Sequence, residues 1–133
     1  MQIDVLDGPT LDLTSDEGSI FFHTIKEIVQ ASYVINDDQL IAGVRALVDE
    51  VRQIRKAEKT SAATAPQALT VEPDALLKTI SAATATLHHL GDSEFRTRTG
   101  FAARDAYNLI QRLTALITPG GDTRGPEGDS GDL

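Results

Sequence analysis

The chain has three histidines, and imidazole changes charge near neutral pH without help from its surroundings, so these residues come first. His88 and His89 are neighbours, and neighbours on a helix point about 100° apart, which leaves them unable to grip one metal ion together. His88 falls on the flank of an apolar stripe near a helix C-terminus, a place that favours its charged form. His23 and Glu27 stand four residues apart on one helix. That spacing could offer two ligands to zinc, but no third ligand is in view, and an exposed ion pair contributing about 0.3 to 0.5 kcal/mol is the expectation. A small enzyme using His88 or His23 with a nearby carboxylate is therefore the weakest functional alternative. No catalytic residue, metal site or cofactor is assigned.

Gly91-Asp92-Ser93 resembles the nucleophile block of GDSL hydrolases, and Gly128-Asp129-Ser130 repeats its three letters. Neither follows a strand, and no Ser-His-Asp series stands at workable positions, so chance accounts for both. A P-loop, a dinucleotide fingerprint, an H-E-x-x-H pair and an EF-hand loop are also absent from the sequence.

The most suggestive stretch is Phe95-Arg96-Thr97-Arg98-Thr99-Gly100-Phe101, which sets two arginines beside a glycine turn feeding a helix, with Arg104 in that helix's first turn. Free amides at a helix start attract anions, and guanidinium groups suit phosphate or carboxylate, so Arg96, Arg98 and Arg104 are candidates for an anion or acidic-partner site. The competing reading makes Phe95 and Phe101 core anchors and pairs the arginines with Asp92, Glu94 and Asp105. A weaker basic face, Arg45, Arg52, Lys56 and Lys59, lies in a narrow sector of another helix, but Asp49 shares that sector and pairs at helical spacing with Arg45 and Arg52. No aromatic residue is interleaved there for stacking on bases.

Elements able to position these residues follow from periodicity. Ile3 and Val5, the turn chemistry of Asp7-Gly8-Pro9-Thr10, then Leu11 and Leu13 predict an N-terminal β-hairpin. Thr14 and Glu17 make a capping-box pattern for a helix over 15–32. Asn36 is the expected cap of a second helix over 37–59, whose apolar stripe runs from Leu40 to Ile54. Residues 60–70 read as a connector, in which Leu69 and Val71 offer a third short strand. Pro73 suits the first turn of a third helix with Leu76, Leu77, Ile80, Ala83, Leu87 and Leu90 as its buried face, and Gly91 suits a left-handed stop. After a turn over 93–99, a last amphipathic helix is expected over 103–118, ended by Pro119-Gly120-Gly121. Leu11-x-Leu13 and Leu69-x-Val71 each precede a helix pair, a faint echo of duplication whose helical registers do not superpose without a gap.

The expected fold is thus mainly α within the α+β class: four principal helices in two antiparallel pairs beside an N-terminal hairpin. Residues 1–118 form one domain and 119–133 a flexible acidic tail rich in glycine and proline. With 133 residues, one core can be buried without a metal or disulfide staple, which suits a chain with no cysteine and is compatible with a reducing cytoplasm. The start carries neither the basic opening nor the apolar run of a signal peptide or membrane helix. A net charge of −8 disfavours general polyanion binding. Good helices with no recognisable chemistry favour a non-enzymatic interaction, regulatory or adaptor protein that self-associates or docks on a larger partner. The alternative is a small regulator binding nucleic acid or anions.

Overall fold

The computed structural model describes residues 1–60 and 68–117. The middle of the connector, 61–67, and the acidic tail lie outside the described residues. β1 (Gln2–Val5) and β2 (Thr10–Asp12) form the hairpin, antiparallel with Ile3 opposite Leu11. Its turn closes where Val5 N–H donates to Pro9 O at 3.0 Å, and Asp7 adopts a left-handed φ of 57°, which a short polar side chain tolerates. β3 (Ala68–Val71) supplies the third strand and lies parallel to β1, giving the order β2-β1-β3. Parallel neighbours need a long crossover, and the helices between β2 and β3 provide it. Ile3, Val5, Leu69 and Val71 are all buried, so the two-residue period of the strands turns one sheet face onto the helices.

α1 (Ser15–Gln30) begins at the complete capping box: Glu17 N–H donates to Thr14 Oγ1 at 3.1 Å and Thr14 N–H to Glu17 Oε1 at 2.9 Å. A single further turn, α2 (Ser32–Ile35), follows beyond the helix expected to end at Ser32. Asn36 is not the cap of the next helix. It closes α2 at a left-handed φ of 53°, and Asp37 takes the capping role for α3 (Asp38–Thr60) by accepting Leu40 N–H at 3.1 Å. Both side chains suit a cap, so residue type alone did not separate them.

α4 (Pro73–Thr99) starts at the proline and breaks at Gly91, whose φ of 76° and ψ of 168° are not helical. The expected turn over 93–99 does not form: the chain re-enters helical geometry after Gly91, and this brings Phe95 to full burial. Gly100, with φ 82°, then ends the helix by donating its N–H to Arg96 O at 2.8 Å. α5 (Ala103–Ile117) follows.

α1 and α3 form one closely packed pair, α4 and α5 the other, and α1 also lies against both α4 and α5. The core is continuous from the sheet through Phe21, Ile25 and Ile28 of α1 to Val51 of α3, Leu87 and Phe95 of α4 and Leu109 of α5. Leu77 leaves the expected buried face and is 50% exposed, while Leu76 beside it is 1% exposed. The gap left between α1, α4 and α5 is about 10 Å³, too small for an organic ligand. Among the described residues no helix is long and apolar enough to cross a membrane.

Candidate functional site

The arginine corner is built around the break in α4. Gly91 redirects the chain so that Asp92 faces the start of α5, where its Oδ1 accepts Ala103 N–H at 2.9 Å. That hydrogen bond, together with Arg96 and the field of Arg104, holds the Asp92 carboxyl below the usual carboxylate range. Arg96 pairs with Asp92 at 3.3 Å. Arg98 donates to Glu94 at 2.9 Å and to Glu27 of α1 at 3.3 Å. The position where an external anion would sit at the α5 N-terminus therefore holds a carboxylate of the chain itself. Of the three arginines proposed from sequence, only Arg104 makes no ion pair among the described residues.

Neither histidine motif forms a catalytic pair. Glu27 does not make the expected exposed pair with His23, because α1 is covered by α4 on that side and Glu27 is 3% exposed against Arg98. His88 and His89 are exposed, and His89 Nε2 lies 3.3 Å from Tyr33 OH with the two rings edge to face. Among the described residues no group of three His, Asp or Glu side chains is arranged to hold a metal ion.

A different cluster stands out in charge and shape. Along the seam of α1 and α3 runs an open groove of about 400 Å³, lined by Phe22, His23, Arg52, Arg55, Lys56 and Lys59. The Phe22 ring carries three cations around it: Lys26 Nζ at 5.7 Å from the centroid, Arg52 at 5.6 Å and Arg55 at 5.5 Å. Each such contact contributes about 0.5 to 1 kcal/mol at an exposed site and orients the cation over the ring. Lys26, Arg52, Arg55, Lys56 and Lys59 are five of the chain's 12 basic residues, gathered on one side of a molecule whose net charge is −8. Asp49 pairs with Arg52 at 3.2 Å, and Glu58 borders the adjoining hollow beside Arg55 and Lys59. Lys26, Arg55 and Lys59 make no ion pair among the described residues. His23 packs its ring near Phe22 and Phe101, and partial burial, then Lys26, then Arg55, push its pKa below the ordinary 6.5, so it is neutral at pH 7.

Three of the four residues of the weaker basic face, Arg52, Lys56 and Lys59, thus line this groove, while Arg45 is exposed and outside it. Phe22, Lys26 and Arg55 were missed. They come from a second helix or from the edge of the apolar stripe, and only the packing of α1 on α3 brings them together. Compared with known proteins, the chain matches no family model, no curated protein and no solved structure.

Proposed function

We propose that the chain is a non-enzymatic interaction protein, of the regulatory or adaptor kind, that receives an acidic segment of a protein partner in the α1–α3 groove. The observation that carries the reading is the set of three cations fixed around Phe22 while two of them, Lys26 and Arg55, make no ion pair among the described residues. Placing like charges side by side costs energy unless an anion offsets it, and a carboxylate-rich segment supplies that anion. A protein partner is favoured over nucleic acid for two reasons. The acidic remainder of the surface repels a long polyanion, and the Phe22 ring is covered by cations instead of being open for base stacking. A cytoplasmic setting accords with a chain that has no cysteine.

The test is a titration of the full chain with a fluorescent poly-glutamate peptide and, in parallel, a DNA duplex of matched charge. The peptide is expected to bind more tightly than the duplex, to weaken steeply with added salt, and to lose about tenfold or more in affinity in Arg52→Glu/Arg55→Glu. Binding that survives this double substitution but disappears in Arg104→Ala would move the site to the arginine corner and restore the anion-binding alternative. Tighter binding of the duplex would overturn the choice of partner.

A further inference from the structure

On the other flank of α3, its N-terminal half and the start of α4 enclose a cleft of about 700 Å³ beside β3. Its floor is apolar, made by Leu40, Val44, Leu47, Val71 and Ala75. Its rim is acidic: Asp37, Glu50, Glu72 and Asp74 face a single cation, Lys78, which is already paired with Asp74 at 3.2 Å. Glu50 and Glu72 make no ion pair among the described residues. An apolar floor with an anionic rim is the complement of an arginine or lysine side chain, whose methylene stem lies on hydrocarbon while its head reaches the polar edge.

The chain itself presents such side chains in the α1–α3 groove. We infer that the acidic partner of that groove is a second copy of this chain, the cationic side of one molecule seating Arg52, Arg55 and Lys56 over the α3–α4 cleft of the next. The inference rests on the functional reading above and gives its partner an identity. Groove and cleft lie on opposite flanks of one 23-residue helix, so the contact is heterologous: each molecule keeps one free groove or one free cleft after pairing. Assembly then grows with concentration into short chains instead of stopping at a closed dimer. Because charge drives it, assembly weakens as salt shortens the reach of the charges.

A charge exchange tests this on the full chain by light scattering over a wide concentration range. The wild-type protein at about 50 mM salt is expected to show a mass that rises with concentration, and at about 300 mM salt its association constant should fall by tenfold or more. Substituting the groove (Arg52→Glu/Arg55→Glu) cancels its positive charge against Lys26, Lys56 and Lys59 and leaves the cleft unaltered. Gln39→Lys/Glu50→Lys cancels the acidic charge of the cleft and leaves the groove unaltered, on exposed positions of α3 that bear no cap. Each variant alone should remain monomeric, and an equimolar mixture should associate again into pairs, because the unaltered groove of the cleft variant meets the unaltered cleft of the groove variant. This recovery also shows that both variants are folded. A wild-type chain that stays monomeric at low salt, or a mixture that fails to recover, overturns the second-copy inference. If the groove still binds poly-glutamate in that case, the functional reading stands and only the partner is wrong.

Discussion

Glu27 is 3% exposed, and its carboxylate meets Arg98 at 3.3 Å from a helix 71 positions further along the chain. A buried acceptor deprived of its partner costs about 1 to 3 kcal/mol, so Arg98→Ala should lower unfolding stability by an amount in that range. Adding Glu27→Leu should recover most of the loss, because a hydrophobic side chain in that place no longer needs a cation. Urea unfolding of the single and double variants checks both; a double variant no more stable than Arg98→Ala would show that the pair is not what holds the position. His23 makes a second prediction, in pH. Its folded pKa lies below the ordinary value of 6.5, lowered first by burial and then by Lys26 and Arg55, with Phe22 and Phe101 packed beside it. Between the two pKa values the unfolded chain binds more protons than the folded one, so stability rises with pH there. The stabilising contribution is present above the unfolded value and lost as pH falls through the folded one. Thermal midpoints measured from pH 8 to pH 5 should therefore drop below about pH 6.5, and His23→Gln should flatten that part of the curve. Asp92 does not confuse the result, since its pKa is already below 3.8 and its contribution fades only in stronger acid. These two residues show what the sequence left hidden. The spacing of His23 and Glu27 suggests a solvated pair on a polar face, and nothing local reveals that α4 covers that face and redirects Glu27 to Arg98.

At the level of elements the break in α4 is the most informative feature. Gly91 holds φ 76° and ψ 168°, a combination reached at low cost only without a Cβ, and nothing lies within 4 Å of where a Cβ would stand. The penalty of Gly91→Ala is therefore one of backbone conformation and not of crowding, and about 1 to 3 kcal/mol of destabilisation is expected in chemical unfolding. Loss of the bend also moves Asp92 away from Ala103, so α5 should fray at its N-terminus, visible as faster amide exchange at 103–106. An Ala variant as stable as the parent would mean that the chain passes smoothly from one helical segment to the next. Most helix starts were legible because their side chains act locally: Thr14 with Glu17, and Pro73, need no tertiary information. The third strand was legible from Leu69 and Val71, although its parallel pairing with β1 was not, since alternation reports a strand and not its neighbour. The helical turns after Gly91 escaped because glycine at a left-handed stop normally ends a helix, and the reason to resume is the burial of Phe95, a tertiary gain. The groove was half legible for the same cause. Arg52, Lys56 and Lys59 share a sector of one helix, but Phe22 and Lys26 join them only through the packing of α1 on α3.

For the whole molecule the faint echo between Leu11-x-Leu13 and Leu69-x-Val71 raises the question of whether two strand-helix-helix halves stand independently. The contacts cross the division everywhere. β3 of the second half pairs with β1 of the first, and α1 of the first packs against α4 and α5 of the second. Ile3, Ile28, Leu69 and Phe95, drawn from both halves, lie in the same core and are each no more than 1% exposed. Neither half can lose its partner without opening apolar surface to water, so unfolding should be a single cooperative transition. Ile25, 1% exposed at the seat of α1, is the most direct probe. Ile25→Ala removes buried methyl groups and leaves a cavity, at a cost of about 2 to 5 kcal/mol. If the molecule is one unit, that cost appears equally in backbone circular dichroism and in the summed near-ultraviolet signal of its tyrosines. The most protected amides of α3 and α5 should then lose protection by the same amount. Two transitions, with only the α3 amides losing protection in Ile25→Ala, would show instead that the halves fold separately and that their shared core adds little.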